Sequence, residues 1–129
     1  MNKKYIFILA VISAVVIMCQ SGMAHGNSLK VHETMIKLKV ATKVIKEHAQ
    51  SKDYFRTAEK FMDIARLLKG LSAVEPKKHT KKEWESIHET IIDTAFRGIG
   101  ACGRKDDQSI KQSIEDIFAS MSEGHKLFR

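Results

Sequence analysis

Between residues 31 and 128 the apolar side chains recur at steps of three, four or seven, and over no useful length do they alternate. A 3.6-residue period is the mark of a helix with one buried face, whereas half-buried strands repeat every two residues. The chain is therefore expected to be all-α. Four stretches carry the pattern. The first opens after Asn27-Ser28 and holds Val31, Met35, Leu38, Ile45 and Ala49. Ser51-Lys52-Asp53 interrupts it. Asp53 can cap a second stretch, whose stripe is read as Phe55, Ala58, Met62, Ala65 and Leu68, closing at Gly70. Residues 71–78 include Pro76, the one proline, and read as the longest connection.

Thr80 followed by Glu83 forms a capping box, in which each side chain accepts from the other's backbone amide. A third stretch then runs through Trp84, Ile87, Ile91, Ala95 and Cys102, weakened by Gly98 and Gly100 and stopped at Gly103. Asp106 or Asp107 caps a fourth, with Ile110, Ile114, Ile117, Met121 and Phe128. Four amphipathic helices with mostly short links predict an antiparallel up-down-up-down bundle.

What precedes the helices reads differently. Lys3 and Lys4 introduce an apolar run over residues 5–19, and Gly22-Met23-Ala24 places small residues at a cleavage site. That layout is a secretory signal, and the run is short for a membrane span. Residues 1–24 are expected to be a signal peptide and 25–129 a single domain, periplasmic, with no stable membrane insertion. Met18 occupies a position where a lipoprotein signal wants a small residue, which argues against acylation of Cys19. Cys102 is then the one thiol left, so no internal disulfide can form and stability must come from packing or a bound group.

The net charge of +7, or +5 once Lys3 and Lys4 leave with the signal, favours acidic partners through steering. Lysines are spread over every helix, which does not indicate a nucleic-acid groove. Catalytic templates are missing: no glycine-rich phosphate loop, no Cys-x-x-Cys pair and no His-Glu-x-x-His appear in the sequence. The chain does not read as an enzyme.

Two residues stand out by position. His125 follows Met121 by four and precedes Phe128 by three, and Met35 lies between Val31 and Leu38. In an up-down-up-down bundle the start of the first helix and the end of the fourth share one end. At 1.5 Å per residue both residues lie about 6–10 Å inside it. A thioether and an imidazole facing one core can hold a flat iron porphyrin, and this pair raises the reduction potential and favours electron transfer. Leu67, Leu68, Trp84, Ile87 and His88 are expected to line that end, with Arg129 and nearby lysines at the propionates. The plainer reading makes Met35 core filler and His125 a solvated residue near a helix end.

The stretch Met35-Ile36-Lys37-Leu38 through Lys43-Val44-Ile45 resembles the first helix of cytochrome b-562, a soluble periplasmic four-helix-bundle cytochrome. The ending His125-Lys126-Leu127-Phe128-Arg129 resembles that family's ending, a ligand histidine followed by two variable positions, an aromatic and an arginine. Cytochromes c-prime share this ending, but Met121 and Gly124 stand here where their Cys-x-x-Cys-His has cysteines. The resemblance covers about 25 residues at the two ends. It implies one non-covalent haem b per chain with Met35 and His125 as axial ligands, in an electron carrier that meets acidic redox partners.

Three alternatives stay open: His88 or His32 as a replacement ligand; a haem-free bundle that kept the scaffold and acts as a binding or interaction protein; and a metal binder using His25, His32 and His88. Cys102 is expected to be a packed side chain, able to crosslink a dimer only if exposed.

Overall fold

A computed structural model describes residues 28–128 and divides the chain into two units, 1–33 and 34–129. The expected signal peptide, His25 and Arg129 lie outside the described residues. Residues 28–33 of the first unit are helical. In the second unit α1 covers 34–50, α2 Tyr54–Ser72, α3 Lys81–Gly103 and α4 Asp107–Phe128. The described residues contain no strand. None of their helices is long and apolar enough to cross a membrane. The expected helical bundle is what the second unit forms.

Two of its links, 51–53 and 104–106, are built alike. Lys52 and Lys105 take left-handed backbones, with φ of 57° and 54°. At each, two amides turn back onto the preceding helix. Lys52 and Asp53 donate to Ala49 and His48, and Lys105 and Asp106 donate to Cys102 and Ala101. This is the Schellman stop that glycine usually serves. The aspartate that follows then caps the next helix: Asp53 accepts from the Arg56 amide (3.1 Å) and Asp106 from the Ser109 amide (3.1 Å). Between these two turns Asp107 accepts from the Tyr54 hydroxyl (2.8 Å) and pairs with Lys52 (3.1 Å). Both hairpin turns thus meet at one end, here called the turn end. At the opposite, loop end the Thr80–Glu83 capping box opens α3 as expected.

The core runs between the ends through Leu38, Ile45, Phe61, Ile64, Leu68, Leu71, Ile91, Ala95, Ile114 and Ile117, all buried. Buried Thr57 and Thr94 give their hydroxyl protons to the carbonyls four residues back, at 2.7 and 2.9 Å, which relieves the cost of burying them. Lys46 Nζ sits 4.0 Å from the centre of the Phe118 ring and ties α1 to α4.

One sequence expectation shifts here. The buried stripe of α2 is Thr57, Phe61, Ile64, Ala65, Leu68 and Leu71, and Phe55 is 76% exposed. The helix continues to Ser72, beyond Gly70, because Leu71 belongs to that stripe and is only 1% exposed.

Candidate functional site

The loop end carries most of the residues singled out by sequence. α2 stops at Ser72, and residues 73–80 return the chain to α3. Lys81 Nζ donates to the carbonyls of Ser72 (2.6 Å) and Val74 (3.1 Å), placing a cation at the negative end of α2. Trp84, one turn into α3, donates from Nε1 to the Leu71 carbonyl at 2.9 Å. The indole is 8% exposed, so this bond satisfies two buried groups at once.

Rings fill the space around it. His88 packs edge-on against Trp84 with centroids 4.4 Å apart, and Phe128 of α4 meets the indole at 4.9 Å. His79, held at φ 64° before the cap, packs against Phe128 at 5.5 Å. Edge-to-face contacts of this kind contribute beyond their buried area.

His88 is the electrostatic oddity. It is 7% exposed, and its Nδ1 is buried without a hydrogen-bond partner. Burial, with a smaller push from the Lys81 charge, lowers its pKa from 6.5 to about 4. It is a neutral imidazole at pH 7. Cys102 is likewise closed off: burial raises its thiol to about 11, so the reactive thiolate is scarce and a crosslink would require exposing the side chain.

Met35 is half-buried on α1, one turn before buried Leu38. Leu68, Trp84 and His88 are buried and Ile87 and Leu67 half-buried, so the expected lining does face inward. His125 is exposed. The inward stripe of α4 runs Ile110, Ile114, Ile117, Met121, Gly124 and Phe128. After Met121 it steps by three onto a glycine, which leaves His125 beside the stripe. A haem held by Met35 and His125 needs a slot with sulfur and imidazole aimed in from opposite faces. In this arrangement Trp84, His88 and Phe128 take the inner space and His125 faces solvent, so the residues do not fit that group. The metal alternative gains nothing within the described part: no three His, Cys, Asp or Glu residues gather among the described residues.

A second surface lies between α1 and α2. Ile36 and Val40 are 52% and 58% exposed and, with Val44 and Leu67, line a groove of about 460 Å³. Its rim is Lys37, Lys60 and Arg66 with a single carboxylate, Asp63, which pairs with Lys60 at 2.7 Å and with Arg66 at 3.7 Å. The rim is net basic. Sequence reading missed this surface because Ile36 and Val40 fall off the core stripe, where scattered apolar residues are ordinary. It also missed the part of His79 in the ring cluster. Its only signal was the place before Thr80.

Compared with protein-family profiles, with curated proteins and with solved structures, the chain matches none.

Proposed function

We propose that this chain is a haem-free helical bundle that works outside the cytoplasm as a binding protein, offering the α1–α2 groove to an acidic, apolar-faced partner. The observation that carries this reading is the ring cluster of Trp84, His88, Phe128 and His79, which occupies the end where a haem would have to enter. Export rests on the character of residues 1–24. The choice of partner rests on the exposed Ile36 and Val40 between basic side chains, because opposite charge speeds encounter and apolar contact lengthens residence. A second copy of the chain would bring the same basic rim against itself. No catalysis is part of this proposal.

The test is a haemin titration of the purified protein, followed by absorbance and melting temperature. A haem-free bundle gives no stoichiometric complex and no rise in Tm, whereas a true ligand stabilises by mass action. A six-coordinate spectrum that is lost in both Met35→Ala and His125→Ala would overturn the proposal. It would restore the second reading, an electron carrier with Met/His ligation. That reading is favoured by the resemblance at the two chain ends, while the unpartnered Nδ1 of His88 at the same end favours the form of it in which His88 replaces a ligand.

A further inference from the structure

Two glycines stand two residues apart in α3, and their surroundings differ. A Cβ at Gly98 would lie 2.4 Å from Cζ of Phe61, so the contact with α2 requires a bare backbone there. A Cβ at Gly100 would meet only Nη1 of Arg104, at 3.4 Å, the far end of a flexible side chain. Glycine is among the poorest helix formers, and the packing of α3 does not call for one at this position.

Gly100 instead floors a cleft of about 580 Å³ between α3 and α4, toward the turn end. Phe96, Arg97 and Arg104 wall it from α3, and Ser109, Gln112, Ser113 and Asp116 face them from α4. Steps of three and four bring positions 97, 100 and 104 to one helix face. The Arg104 side chain reaches back toward Gly100, so the two arginines stand on either side of a position that has no side chain. Arg97 donates from Nη2 to the Thr94 hydroxyl at 2.9 Å, which steadies the side chain and engages one of its five donors. Asp116 accepts from Gln112 Nε2 at 2.9 Å, drawing the cleft's one carboxylate onto its own helix. Phe96 is 50% exposed at the wall.

We infer that this cleft binds a small anion bearing a flat ring, its oxygens on Arg97 and Arg104 above Gly100 and its ring on Phe96. Planar guanidinium forks match carboxylate and phosphate geometry. The volume suits a ligand of small-molecule size. Asp116 in the cleft and Asp106 near Arg104 offset part of the two arginines' charge, which favours a mono- or dianion over a polyanion. The site lies apart from the loop end and does not depend on whether haem binds there.

The probe is adenosine monophosphate, titrated into the full-length ¹⁵N-labelled protein and followed by amide shifts. Inorganic phosphate and adenosine serve as the two half-probes. The expected result is saturable movement of the Gly100, Arg104 and Gln112 amides with a Kd below roughly 1 mM, and each half-probe at least about tenfold weaker. Gly100→Leu fills the floor while favouring the helix, so it is expected to keep Tm and abolish binding. Arg97→Gln with Arg104→Gln is expected to weaken binding at least about tenfold. The inference is overturned if no shift saturates by roughly 10 mM, or if Gly100→Leu binds as the parent does. Phosphate binding as tightly as the nucleotide, unchanged by Phe96→Ala, would overturn the flat-ring ligand.

Discussion

The two ends of this bundle are closed by opposite means. At the turn end, Lys52, Tyr54 and Asp107 make a polar clip in solvent, with the lysine and aspartate side chains 67% and 50% exposed. At the loop end a buried indole donates to a buried carbonyl under a cover of rings. In water a charge pair competes with hydration and salt, and its contribution is small. Out of water, each ring contact and the single indole bond is worth more, and losing one leaves a group stranded. The loop end is therefore expected to hold most of the stability that lies outside the central core, and the turn end mainly to set geometry.

The harshest way to break this comparison is Trp84→Ala. It empties an indole-sized space and strands the Leu71 carbonyl, and we expect a loss of about 3–5 kcal/mol by urea denaturation. Trp84→Phe, which keeps a ring and loses the bond, is expected to cost less. Equal losses would show that the hydrogen bond decides and the packing does not.

Acid comes next, and it separates the ends. The folded His88 pKa, near 4, lies below its ordinary 6.5, so the unfolded chain takes up the proton first. Stability is complete above pH 6.5 and falls as pH drops from 6.5 to 4, by at most about 3 kcal/mol. Asp107 behaves otherwise: the Tyr54 and Lys52 hydrogen bonds hold its carboxyl below 3.8. Its share is kept above 3.8 and goes only as pH falls through the lowered value. Tm measured across pH 7 to 3 should therefore show loop-end loosening first. His88→Leu should flatten the upper part of that profile, and an unchanged slope there would remove His88 from the account.

Smaller still is Lys105→Gly. Relieving a left-handed lysine at the Schellman stop is expected to add up to about 1 kcal/mol. The smallest effect belongs to Asp107→Asn, which opens the clip. We expect a Tm change below those of the Trp84, His88 and Lys105 variants and one that vanishes in high salt. A drop as large as that of Trp84→Phe would reverse the ranking of the two ends.

Local signals were legible in the sequence. The Asp53 cap and the Thr80–Glu83 box each depend on side chains within a few residues of the backbone they satisfy, whereas the stop after Gly103 is made by left-handed Lys105. Helix faces were less so. In α2, the expected stripe Phe55, Ala58, Met62, Ala65 and Leu68 and the buried stripe Thr57, Phe61, Ile64, Ala65, Leu68 and Leu71 obey the same helical spacing and share Ala65 and Leu68. Only the neighbouring helices choose between them, and they take the second. On α4 the inward position after Met121 is Gly124, which adds nothing to an apolar pattern, so the eye passes to His125. The burial of His88 does follow from its spacing with Trp84 and Ile91. The α3–α4 cleft could not be read at all, because in sequence Gly100 signals only a weaker helix.

The Phe61 ring, seated where a side chain at position 98 would begin, acts as a detent between α2 and α3. To slide one helix along the other, the ring would have to climb out of its notch against the side chains on either side, while turning about the contact leaves it in place. Whatever motion the bundle makes on meeting a partner is thus steered toward pivoting about a point in its turn-end half. A small opening at one end would then be felt as a displacement at the other.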